Sequence, residues 1–167
     1  MVRPTEEKMK KHDAKVLFSS KSMEWATPRE FFRKLDSQFN FTLDPCARSH
    51  NALCSKYFTP EDDGLIQDWS GNKVFVNPPY GRGIGHWVKK SYEEGCKEGT
   101  TVVMLIPART DTKYWHDYAM KADEIRLIKG RLKFGGGKNS APFPSAVVVF
   151  RNGSGDPVEN PPTLGVM

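Results

Sequence analysis

The residues best suited to chemistry are Asn77, Pro78, Pro79 and Tyr80, which stand at the end of the apolar run KVFVN (73–77). Proline offers no backbone N–H to a ladder, so two in succession stop the strand and turn the backbone outward. In an open parallel sheet, ligands gather outside the carboxyl ends of the strands. The tetrapeptide therefore projects Asn77 Oδ1 and the Pro78 carbonyl into such a crevice as two fixed acceptors. That pair suits a nitrogen whose lone pair is delocalised into a ring or a carbonyl. Each acceptor takes one N–H, draws the nitrogen toward tetrahedral geometry and frees its lone pair for attack. Tyr80 adds an aromatic face on which a planar base can stack. A polyproline-like surface turn is the plainer alternative, but it has no need to follow a buried strand immediately.

The elements that must hold this turn alternate along the chain. Thr27-Pro28 predicts a helix start, with threonine as the N-cap and proline at the first helical position. Phe31, Phe32, Leu35 and Phe39 follow at near-helical spacing. A short strand, FTLD (41–44), ends at Pro45. Residues 48–72 read as an irregular connection with turns at Thr59-Pro60 and Asp63-Gly64. Gly85 to Lys97 reads as a helix with Trp87, Val88 and Tyr92 on its apolar side, and TVVMLIP (101–107) as the strongest strand. A helix over about 111–121 leads to EIRLI (124–128), and AVVVF (146–150) closes the set. Strands separated by helices imply a largely parallel sheet, and the last two, joined by a Gly/Pro-rich loop, an antiparallel hairpin at its edge.

The chain of 167 residues suits one domain. Its organisation reads as a flexible basic arm (1–21), a folded unit (22–151) and a disordered tail rich in Gly, Pro and Asn (152–167). No apolar run approaches the roughly 18 to 20 residues that cross a bilayer. The charged amino terminus has no apolar stretch behind it to make a secretory signal. No membrane partner is expected, and the expected location is cytoplasmic. Cys46, Cys54 and Cys96 form no C-x-x-C pair and are odd in number. They read as small core residues, so neither a disulfide framework nor a metal site is expected. The net charge of +5 is concentrated in RLIKGRLKFGGGK (126–138), where Arg126, Lys129, Arg131, Lys133 and Lys138 meet no acid. This segment is either a phosphate-binding surface or a lysine-guarded edge strand.

Over about residues 24 to 150 the ordered motifs are Trp25-Ala26-Thr27-Pro28, Leu43-Asp44-Pro45-Cys46-Ala47, Asp63-Gly64-Leu65 with Asp68-Trp69, Asn77-Pro78-Pro79-Tyr80-Gly81, Ile106-Pro107-Ala108-Arg109-Thr110, Gly130-Arg131-Leu132, and Ala141-Pro142-Phe143-Pro144-Ser145. In that order they closely resemble the phage-type DNA N-6-adenine methyltransferases, the Dam family of phages. The resemblance implies an abbreviated, Rossmann-like, S-adenosylmethionine-dependent α/β fold with a mostly parallel sheet and an antiparallel edge hairpin. It implies methyl transfer from S-adenosylmethionine to a flipped adenine in double-stranded DNA, needing no metal and no strong base. Asn77 to Tyr80 would be the catalytic motif. Asp44, Pro45, Cys46 and Ala47 would form the donor loop, with Trp25, Thr27 and Pro28 at the donor carboxylate. Asp68 and Trp69 would hold the donor's adenine.

Asp62 and Asp63 are the candidates for the donor ribose, although a Glu-Asp-Asp-Gly run also suits a solvated turn. Phe143 is the candidate to stack on the adenine opposite Tyr80. Arg109 and Arg131, with Lys129, Lys133 and Lys138, are candidates for DNA phosphates. Two departures stand out: the usual glycine-rich donor loop is absent, with Ala47 where a glycine is expected, and the connection 48–72 is short. Methylation of RNA adenine or of a protein glutamine, and a binding module without a donor, remain the alternatives. The target sequence and the oligomeric state are not legible.

Overall fold

Two runs of the chain are apolar along their whole length and need cover on both faces. In the computed structural model, which describes residues 25–137, 139–151 and 163–167, these two runs pair at the centre of a sheet. The elements in chain order are α1 (Arg29–Phe39), β1 (Leu43–Asp44), β2 (Lys56–Tyr57), β3 (Lys73–Val76), α2 (Ile84–Gly95), β4 (Thr101–Pro107), α3 (Lys113–Asp117), β5 (Glu124–Leu127), β6 (Ser145–Phe150) and β7 (Thr163–Val166). The strands lie in the order β2-β1-β3-β4-β6-β5-β7. β4 and β6, buried throughout, pair antiparallel from Val102↔Phe150 to Pro107↔Ser145.

β1 pairs parallel with β2 and β3, β3 with β4, and β5 with β7, while β6 runs antiparallel to both its neighbours. The carboxyl ends of β1, β3 and β4 therefore open on one edge, and the reversed β6 brings its amino end to the same edge. Successive strand residues face opposite sides. Phe75 and its partner Val103 face α1, where Phe32 meets Phe75 at 5.2 Å. Val102 and Phe150 are one residue out of step and face α2, whose Tyr92 lies 6.0 Å from Phe150. With α1 on one face and α2 on the other, the chain has the three-layer α/β arrangement expected of a Rossmann-like fold.

The structure corrects the sequence reading in four places. The antiparallel strand is not at the edge: β6 sits inside, between β4 and β5, because its side chains, apolar from Ala146 to Phe150, need cover on both sides. Thr163–Val166, assigned to the tail, form β7 on the open side of β5. The connection 48–72 holds β2, which hydrogen-bonds to β1. The helix expected over 111–121 breaks after Asp117 and resumes as a 3-10 turn, Ala119–Lys121. The arm 1–21, Lys138 and residues 152–162 of the tail lie outside the described residues.

A buried acid on α2 ties the sheet to the turn that precedes β3. Glu94 is 2% exposed, accepts the Trp69 N–H at 3.1 Å, and is met by Lys90 Nζ at 2.7 Å and Lys97 Nζ at 2.9 Å. Burial alone would raise its carboxyl, but the two lysines and the Trp69 N–H outweigh it and hold the group below the usual glutamate range. The stability this gives is present above the unfolded-state value and lost as pH falls through the folded-state value. Glu94→Gln is expected to lose about 2–4 kcal/mol at neutral pH. In urea titrations the deficit should shrink as pH drops below about 4; a deficit independent of pH would contradict the ion-pair account.

Candidate active site

Asn77 is the first residue beyond β3, and its amide is held by the segment that precedes α1. Nδ2 donates one short hydrogen bond to the Trp25 carbonyl and another to Thr27 Oγ1 at 2.9 Å. A backbone carbonyl can only accept, so it fixes which end of the amide faces it. Oδ1 is left buried without a partner. Among the described residues, Ser91 Oγ and Ser145 Oγ share that state, but neither residue lines the cleft. The Thr27 hydroxyl does not cap α1 as expected. The helix starts at Arg29, Pro28 takes the capping position with extended φ/ψ, and no side chain caps.

The cleft has a volume of about 1390 Å³ and takes in Trp25, Thr27, Pro28, Asp44, Pro45, Cys46, Ala47, Asp63, Asn77, Pro78 and Pro79. The sequence-expected donor residues therefore converge, apart from Asp62, Asp68 and Trp69. Trp69 is fully buried, donates Nε1–H to the Gly64 carbonyl at 2.9 Å and stacks on Trp87. Asp68 is exposed, bonded by Ser70 and paired with Lys97 at 3.1 Å. Bonds from Ser70 and then Lys97 hold its carboxyl far below the usual range. Both residues precede the amino end of β3, and neither lines the cleft. Asp68-Trp69 is thus a structural turn in this fold.

The loop after β1 is organised by Asp44. Its carboxylate is 4% exposed and accepts the Cys46 N–H at 3.2 Å and the Leu53 N–H at 3.1 Å. Burial raises the carboxyl, and those two N–H groups partly pull it back. Burial, with the Asp44 charge, pushes the Cys46 thiol well up and the Cys54 thiol to about 12, so neither serves as a nucleophile near neutral pH. Backbone bonds from Ala47 N–H to the Phe58 carbonyl and from Phe58 N–H to the Asp44 carbonyl, both 3.0 Å, close the loop without the missing glycines.

Between the two acids proposed for the ribose, geometry separates their roles. Asp62 accepts Thr59 N–H at 2.8 Å and Thr59 Oγ1–H at 3.0 Å, so it is spent inside a turn. Asp63 lines the cleft, which Asp62 does not; its Oδ1 accepts the Leu65 N–H at 3.1 Å, and its φ of 54° is a left-handed backbone rare outside glycine. Gly64 follows, packed so tightly that a Cβ there would lie 2.2 Å from the Pro45 carbonyl oxygen.

Tyr80 and Phe143 are 6% and 8% exposed, and their rings meet edge to face at 5.6 Å. That contact leaves no slot between them for a stacked base, contrary to expectation. Tyr80 OH donates to the Leu105 carbonyl at 3.1 Å, and burial pushes its phenol far up. Phe134 and Trp25 complete the cluster: Trp25 lies edge-on to Phe134 at 5.6 Å and to Phe143 at 5.3 Å. The loop 129–144 joins the site here, because its Gly135 N–H donates to the Ala26 carbonyl at 2.8 Å.

Arg109, Lys129, Arg131 and Lys133 are all exposed. Arg109 leaves the end of β4, on the edge where the cleft opens. Arg131 reaches back to the Ala141 carbonyl at 3.4 Å. Lys129 instead borders a second groove, with Lys34 and Met167. Sequence reasoning missed Arg29 and Arg33, which line the cleft from the first turns of α1; their i, i+4 spacing was the available signal.

A parallel sheet with one internal reversed strand, and an Asn-Pro-Pro-Tyr turn opening on a cleft at its carboxyl edge, define a methyltransferase-like α/β protein. Residues 14–154 match the family described as DNA N-6-adenine-methyltransferase (Dam), and the chain belongs to that family. A DNA N-6-adenine-methyltransferase of Haemophilus phage HP1 is 35% identical over 106 residues, 62% of this chain and 61% of that protein. One of Escherichia phage T1 is 34% identical over 110 residues, 65% of this chain and 45% of that protein. A putative methyltransferase of Escherichia coli K12, YfdM, is 38% identical over 64 residues, 34% of this chain and 70% of that protein. The chain thus spans less than two thirds of either phage protein.

The close approach at Gly64 gives a direct check on the cleft wall. Gly64→Ala must displace the Pro45 carbonyl, because backbone on both sides cannot rotate away. The variant is expected to lose about 1–3 kcal/mol in thermal unfolding. A wild-type melting temperature would show that the Asp63-Gly64 turn is not packed on the loop after β1.

Proposed function

We propose that this chain transfers a methyl group from S-adenosylmethionine to the exocyclic N6 of an adenine flipped out of double-stranded DNA. The observation that carries this reading is Asn77 Oδ1, buried, unpartnered and on a residue lining the cleft. An unpaired buried acceptor costs about 1–3 kcal/mol, a cost that a ligand N–H would remove. Adenine N6 brings two N–H groups, and the Pro78 carbonyl, one residue on, stands as the second acceptor. Together they would concentrate the lone pair on nitrogen as positive charge develops there.

The residues of the cleft fit the donor. S-adenosylmethionine supplies a methyl group on a sulfonium centre that already carries its leaving group. The amino end of α1, with Arg29 and Arg33 beside it, suits a carboxylate. The Asp44-organised loop lets the backbone at Pro45 to Ala47 approach an amino-acid moiety. Asp63, the one of the two candidate acids that lines the cleft, is the acid we assign to the ribose hydroxyls. Tyr80 serves as an anchor: its hydroxyl, bonded to the Leu105 carbonyl, holds the turn that presents the Pro78 carbonyl. Arg109, Arg131 and Lys133 supply cations for DNA phosphates around the cleft mouth.

The test is methyl transfer from labelled S-adenosylmethionine to adenine-containing duplex DNA, read by nucleoside analysis of the digest. N6-methyladenine is expected from the wild-type chain. Asn77→Ala should lower the rate by at least about a hundredfold while donor affinity by calorimetry stays close to wild type. Label found only in RNA or protein, or an active Asn77→Ala, would overturn the reading. Asp63→Ala should instead weaken donor binding by about tenfold; an unchanged dissociation constant would remove its ribose assignment.

A further inference from the structure

We infer that Thr27 is a positioning residue for the reaction: its hydroxyl, with the Trp25 carbonyl, holds Nδ2 of Asn77 and so leaves Oδ1 as the free acceptor. This rests on the function proposed above and adds a residue that acts through Asn77. An asparagine amide is nearly symmetric in shape, and either end could face the base. With Nδ2 outward, the amide would offer donors to an amine that is itself a donor, and the site would be inert. The choice is made at the Nδ2 end, where two acceptors wait for its two N–H groups. The Trp25 carbonyl cannot donate, so a turned amide would set two oxygens against each other.

Thr27 takes the second N–H, which would otherwise be left without a partner. Its hydroxyl is free for this because it is not used to cap α1. The clamp is itself fixed from behind. The Trp25 ring is wedged edge-on against Phe134 and Phe143, and the Ala26 carbonyl between the two clamp residues is bonded by Gly135 N–H at 2.8 Å. The segment 25–27 is thus a rigid brace, one wall of which is the glycine-rich loop of the basic half.

Thr27→Val keeps the branched shape and removes the acceptor; Thr27→Ser keeps the acceptor. Valine is expected to lower kcat about tenfold and to leave the dissociation constant of S-adenosylmethionine within about twofold. In the unliganded protein it should shift the Asn77 side-chain NH2 resonances in nitrogen-proton NMR spectra. Serine should restore most of kcat and the wild-type resonances. Wild-type kcat with unshifted Asn77 signals in the valine variant would overturn the inference. So would a loss confined to donor affinity, which would place Thr27 on the donor instead. If valine disturbs the fold, Thr27→Ala makes the same test without the second methyl group. Failure of the wild-type chain to methylate DNA would sink the proposed function, whereas the NMR comparison judges the Thr27–Asn77 bond independently.

Discussion

The bond from Asn77 Nδ2 to the Trp25 carbonyl joins the end of a central strand to a segment 52 residues earlier. Much of the site depends on it. It closes the cleft between the strand edge and the start of α1, and it sets the polarity of the amide. It also explains why the chain bears asparagine at this place. An ionised aspartate would turn an oxygen on the carbonyl that the amide now satisfies. The sheet supplies the other half of the constraint: parallel pairing of β3 with β4, and the reversal of β6, bring the ends of three separate chain segments to one edge.

The parts of this architecture that were legible in the sequence are those with strong local causes. TVVMLIP reads as a buried strand because it is apolar throughout, and β4 spans those same residues. Asn77-Pro78 reads as a strand end because proline cannot continue a ladder. Asp44 to Ala47 read as a loop at a strand end because Pro45 interrupts the run. Each of these follows from a few neighbouring residues.

The parts that were not legible depend on partners far along the chain. Tyr80 looked like a free aromatic face, but its hydroxyl is claimed by Leu105 and its ring by Phe143, contacts that no local pattern announces. Thr27 carried a valid N-cap signal, yet the competing acceptor role for Asn77 prevailed, and the helix begins at Arg29, one residue later than expected. Asp68-Trp69 is close in sequence to the cleft-lining Asp63-Gly64, but the Trp69 ring packs behind Gly64 and Trp87, and neither Asp68 nor Trp69 lines the cleft. β7 has weak strand chemistry of its own and forms because β5 offers an unpaired edge. The short connection 48–72 leaves room for a single two-residue strand, which is the structural content of the abbreviation seen in the sequence.

The central claim is that Asn77 Oδ1 is the acceptor for the amine that is methylated, with its orientation set by Trp25 and Thr27. The most direct measurement is a crystal structure of the chain with duplex DNA and the demethylated donor product. The account predicts a flipped adenine whose N6 lies within about 3.2 Å of both Asn77 Oδ1 and the Pro78 carbonyl, with Nδ2 still bonded to the Trp25 carbonyl. An adenine bound elsewhere in the cleft, or an Asn77 amide turned so that Nδ2 faces the base, would contradict it.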